Sequence, residues 1–146
     1  MDLEEFIAKY EKIDFGEIIN QVIKKNEKKI VELNTKKQLY EAGIKNTGAR
    51  ITPPYAKSTI KQKRSKGQPT DRVTLRDKGG YHAGFFIIYE KDQITIESKA
   101  ITKKSFNLSE HLAKRYGKEV KGLTNLNIDE LRELILPDLQ KAIAEI

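Results

Sequence analysis

Asp77, Glu97 and Lys99 are the residues of this chain whose types and order suit catalysis. Two carboxylates on neighbouring elements can hold Mg²⁺, and a lysine just after the second can stabilise charge around an activated water. The Glu-x-Lys step is short, however. On an alternating strand Thr95, Glu97 and Lys99 fall on one face, opposite Ile94 and Ile96, which makes them the expected solvent side. His82 and His111 are the only histidines and stand far apart without metal-ligand spacing, so each is expected to pack or to form a hydrogen bond. Cysteine is absent, which removes thiolate nucleophiles, thiolate metal sites and disulfides. Neither a Gly-Lys-Ser/Thr phosphate loop nor a nucleophile elbow occurs. No catalytic, cofactor-binding or metal-binding residue is expected.

Charge offers a second kind of chemistry. The net charge is +7 over 146 residues. Nearly all of it, +6, lies between residues 57 and 78, where Lys57, Lys61, Lys63, Arg64, Lys66, Arg72, Arg76 and Lys78 oppose only Asp71 and Asp77. A concentrated patch attracts a polyanion or an acidic protein surface, whereas evenly spread charge mainly tunes solubility. Lys57, Lys61, Lys63, Arg64, Lys66, Arg72 and Arg76 are therefore the candidates for contact with DNA or a partner; the plain alternative is a solvated loop. Gly67, Pro69, Gly79 and Gly80 would let this window leave the body of the domain, with Asp77, Gly79 and Gly80 as the structural turn that feeds the next strand.

The elements that must position these residues read as helical, then extended, then helical. Asp14 and Glu17 mark a helix start. Ile19, Ile23, Ile30, Leu33 and Tyr40 then recur at combined steps of three and four, which predicts a helix from about residue 14 to about residue 42, with Gly43 past its end and Asn26 and Lys37 interrupting its stripe. Leu3, Phe6, Ile7 and Tyr10 suggest a shorter helix before it. Pro53 and Pro54 stop any ladder but permit a new helix at "PYAKSTIKQKRS". Phe85 to Glu90 and Gln93 to Ser98 form a hairpin turning at Lys91 and Asp92. "NLSEHLAKRYG" is a short helix ended by Gly117.

In the closing helix Asn127 is the expected cap, Glu130 sits in the first turn, and Leu126 would staple onto Leu131. Its apolar stripe includes Leu131, Leu134, Ile135, Leu139 and Ile143, and Pro137 should kink it. The fold class expected is α+β: a long N-terminal helix and a C-terminal helix packed on a small, mostly antiparallel β-sheet, with an extended basic loop. One domain is expected, divided into a helical arm (1–45), the basic extended region (46–82), the hairpin (83–100) and the C-terminal helices (105–146).

At 38% hydrophobic and 34% charged residues the chain has apolar material for one core under a heavily solvated surface. No apolar run approaches the ~18 residues of a membrane span. The start, "MDLEEFIAKYEK", is acidic and lacks the apolar centre of a secretory leader. A soluble, unsecreted chain is expected.

Within this order of elements, Tyr55, Thr59 and Lys63, then "GQP", then "VTLRDKGG" and an apolar strand resemble the phage virion morphogenesis proteins, the tail-completion or neck proteins of long-tailed phages and prophages. Leu75, Asp77 and Gly79 match that family's L-x-D-T-G turn, although Lys78 stands where a small hydroxyl residue is usual. "YGKEVKGLTNLNIDEL" is similar to the family's approach to its last helix, and the resemblance spans roughly residues 34 to 146. It implies a non-enzymatic structural protein of the virion neck or tail, assembled in the bacterial host cytoplasm, that joins the capsid connector to the tail as a homo-oligomeric ring around the DNA channel. The partners implied are further copies of itself, portal, connector or adaptor proteins, tail tube or tail terminator proteins, and packaged DNA, with no cofactor and no membrane. Two other classes remain as alternatives. A nucleic-acid-binding module would use the basic window, which holds few aromatic residues for stacking. A Mg²⁺-dependent nuclease of the PD-(D/E)xK type would use Asp77, Glu97 and Lys99.

Overall fold

The computed structural model describes residues 2–91, 93–101 and 106–146. Helix α1 (Leu3–Glu11) opens with a capping box in which Asp2 accepts the Glu5 N–H at 2.8 Å and Glu5 accepts the Asp2 N–H. It buries none of its residues. Helix α2 (Phe15–Lys25) starts at Asp14, whose carboxylate accepts the Glu17 N–H at 3.1 Å, as the sequence predicts.

The long apolar stripe continues from there, but not as one regular helix. Helix α2 stops at Asn26, α3 (Glu27–Glu32) follows at once, and Leu33–Ala42 winds as a π-helix that ends at the left-handed Gly43. Asn26 causes the first break: its side-chain amide donates to the Val22 carbonyl at 2.9 Å and to Asp138 at 3.0 Å. The residue that interrupts the stripe thus ties this helix to the closing one.

The π-helical turns place Asn34 and Gln38, both fully buried, against the backbone of residues 120–124. Asn34 donates to the Val120 carbonyl at 3.0 Å and accepts the Gly122 N–H at 2.7 Å. Gln38 donates to the Gly122 carbonyl at 2.9 Å and accepts from the Thr124 N–H at 2.9 Å and the Asn127 amide at 2.7 Å. These side chains satisfy backbone groups of Val120, Gly122 and Thr124 that lie outside any helix or strand ladder.

Helix α4 (Lys57–Ser65), the single turn α5 (Gly80–Ala83) and α6 (Leu108–Tyr116) complete the middle of the chain. Strands β1 (Phe85–Tyr89) and β2 (Ile94–Ser98) pair antiparallel with Ile87 opposite Ile96. Asp92, half of the expected hairpin turn, lies outside the described residues. Glu27 accepts the Ile87 N–H at 3.1 Å, so α3 covers the outer edge of β1. Gly84 allows the hairpin to close on its base, since a Cβ there would meet the Ala100 backbone nitrogen at 2.8 Å.

Helix α7 (Asn125–Ala144) carries Pro137 within its span. Its cap is Thr124, whose hydroxyl accepts the Asn127 N–H at 3.2 Å. The expected cap, Asn127, is instead drawn inward to Gln38. Leu126 is 74% exposed, so the expected staple onto Leu131 does not form. The N-terminal helical stretch packs on the sheet through α3, which lies against β1, and α7 lies beside α2. The result is an α+β fold whose core joins Ile30, Leu39, Val73, Ile87, Ile96, Val120, Leu131 and Ile135. Among the described residues, no helix is long and apolar enough to cross a membrane.

Candidate functional site

Helix α4 sorts the basic window into two populations. Lys57, Lys61 and Arg64 follow at steps of four and three and lie exposed along one face. Lys63 turns the other way and is only 8% exposed. Its ammonium donates to the Arg76 carbonyl at 2.9 Å and to the Gln68 side chain at 3.3 Å, and it stands 4.9 Å from the centre of the Tyr55 ring. A buried ammonium needs such partners, so Lys63 belongs to the fold rather than to a surface contact, contrary to the sequence expectation.

The segment after α4 has no regular element, yet it is fastened to the body rather than standing away from it as expected. Lys66 pairs with Asp77 at 2.8 Å, and the Gln68 amide donates to the Asp77 carbonyl at 2.8 Å. Tyr55 accepts the Thr74 N–H at 2.9 Å, and the His82 ring donates to the Thr74 carbonyl at 2.8 Å. Arg72 donates to the Tyr40 carbonyl at 2.8 Å and pairs with Asp71, while the Arg76 guanidinium lies 5.0 Å from the Tyr40 ring centre. Between these ties the buried Leu75 is held at φ 55, a left-handed conformation that costs a branched side chain about 1–3 kcal/mol.

Asp77 joins the turn before the strand to the end of α4 through its ion pair with Lys66. That hydrogen bond holds its carboxyl below the usual range; slight burial opposes this, and the charges of Lys66, Lys63 and Lys78 add to it. Gly79 supplies a positive φ of 88 at the start of α5, which favours glycine. Gly80 is the first residue of that turn and has open space around it.

The catalytic set suggested by residue order engages separate partners. Glu97 is half-buried rather than on the solvent side: it pairs with Lys121 and accepts the Ser98 N–H at 3.1 Å. Burial alone would raise its pKa, but the Lys121 hydrogen bond, the Ser98 amide and the Lys121 charge leave it lowered. Lys99 lies 5.4 Å from the centre of the Phe86 ring. Among the described residues, no group of three or more His, Asp or Glu side chains is placed to hold a metal ion. His111 packs on Phe106 with ring centres 5.3 Å apart.

One feature escaped the sequence reading. A cavity of about 750 Å³ opens between the fastened loop and α6, with apolar walls from Leu75, Tyr81, Leu108, Leu112 and Tyr116 and with Arg76 and Lys78 among its polar lining. Its walls come from separate stretches of chain, so no local pattern announces it. The Tyr81 hydroxyl is buried without a hydrogen-bond partner among the described residues, and burial, aided by the charge of Glu97, pushes its pKa far above the tyrosine range.

Compared with family models, with curated proteins and with solved structures, the chain matches none.

Proposed function

We propose that this chain is a structural protein of the virion neck or tail-completion type, joining the capsid connector to the tail as a homo-oligomeric ring around the DNA channel. The observation that carries the reading is a contact between the two parts of the resemblance pattern. Tyr55 and Lys63, from the Y…T…K part, bind the backbone of Thr74 and Arg76 and so clamp the Leu75–Gly79 turn of the L-x-D part. The motifs thus form one structural unit, which gives their order a physical reason. The exposed stripe of Lys57, Lys61 and Arg64 then faces channel DNA or an acidic surface of the adjoining ring.

The test is to interrupt the coding sequence in the genome that carries it and to image lysates by electron microscopy. DNA-filled heads and separate tails, rejoined when the chain is supplied in trans, are expected. Intact tailed particles from the interrupted genome would contradict the assignment.

A second reading, an independent nucleic-acid-binding module, is favoured by the same helical stripe. It predicts that the isolated chain binds duplex DNA with an affinity that falls steeply with salt.

A further inference from the structure

Helix α1 is built to be covered. Leu3, Phe6 and Ile7 are 71%, 49% and 44% exposed, and no residue of the helix is buried. An amphipathic helix that leaves its apolar side in water gains little from folding, since most helix stability in proteins comes from packing that side. Its charge is also uneven: Asp2 caps it and Glu4 and Glu5 lie in its first turn, with Glu11 further on, against Lys9 and Lys12.

The cavity beside α6 has the complementary character. Its walls are apolar, Ile101 at its edge is 64% exposed, and its cations Arg76 and Lys78 are exposed; the carboxylate beside them, Asp77, is already paired with Lys66. A volume of about 750 Å³ suits two or three large side chains rather than a whole helix.

We infer that α1 of one copy docks in this cavity of the next copy, with Phe6 and Ile7 inserted and the acidic first turn against Arg76 and Lys78. The contact deepens the ring reading above and rests on it. Because arm and cavity are different surfaces, the contact is heterologous, and every copy offers one of each, which is what a ring requires.

The experiment uses light scattering after size exclusion on three full-length proteins: wild type, an arm variant (Phe6→Asp with Ile7→Asp) and a cavity variant (Arg76→Glu with Ile101→Asp). All four positions are exposed, and thermal melts check that each variant folds. Wild type should self-associate, and each variant should do so at least about ten-fold more weakly. Mixing the two variants should give a 1:1 complex, since the intact arm of one meets the intact cavity of the other. An arm-to-arm contact would leave the cavity variant self-associating as tightly as wild type, and would overturn the inference. So would a wild type that stays monomeric to about 1 mM, as when α1 folds onto its own chain. Should rings persist in both variants, the ring reading stands and the α1 contact falls. If the 1:1 complex forms but interrupting the gene leaves particles intact, the contact stands and the neck assignment falls.

Discussion

The ammonium of Lys63 donates to the backbone carbonyl of Arg76 at 2.9 Å, joining the buried side of α4 to the turn that precedes the hairpin. This makes Lys63 and its neighbour Lys61 different kinds of residue despite identical chemistry. Lys63→Met should lower unfolding free energy by about 1.5–3 kcal/mol, because a charge-assisted hydrogen bond is lost and a carbonyl is left without a partner. Lys61→Ala should stay within about 0.5 kcal/mol. Urea titrations of the two variants check this.

Replacing Lys57, Lys61 and Arg64 with Ala together should leave the melting temperature unchanged. If these residues meet channel DNA, each lost phosphate contact should reduce the slope of log affinity against log salt by about 0.9. If they meet an acidic ring, the triple variant should fail to join heads to tails while duplex binding is negligible in wild type as well. A salt series and a particle-joining assay distinguish the two.

Asn34→Ala should cost about 2–4 kcal/mol, since it strips partners from both the Val120 carbonyl and the Gly122 N–H inside the protein. Chemical denaturation reads the loss directly. The same variant should speed hydrogen exchange in residues 120–124.

His82 gives the fold an acid-sensitive tie. Burial lowers its pKa, the hydrogen bond to Thr74 opposes this, and the charge of Arg76 lowers it further, for a net decrease. A histidine with a folded pKa below its unfolded value contributes full stability above about pH 6.5, and loses it as the pH falls towards the depressed folded value. His82→Gln keeps a donor near the Thr74 carbonyl but cannot titrate. Its stability should fall less than that of wild type between pH 7 and about pH 5, and equal slopes would contradict this role.

The parts of the fold carried by local signals were legible in the sequence. The Asp14 cap, the Gly43 and Gly117 helix ends, α4 after the two prolines, and the hairpin all follow from nearest-neighbour chemistry. What was not legible depends on long-range partners. Asn34 and Gln38 look like solvent-facing polar residues until the 120–124 backbone is placed against them. Asn127 looks like a helix cap until Gln38 claims its amide, leaving the cap to Thr124. In the candidate site the cationic window was visible as charge. That Lys63 is buried while Lys57, Lys61 and Arg64 form a stripe needed both the helix phase of α4 and the position of Arg76.

The most direct measurement of the central claim is to locate the chain on intact particles by immunogold electron microscopy with antibody against the purified protein. The account predicts label at the vertex where head meets tail, and on isolated heads or tails only at the end that would have been joined. Label spread over capsids or along tails, or absent from washed particles while the protein remains free in the lysate, would contradict it.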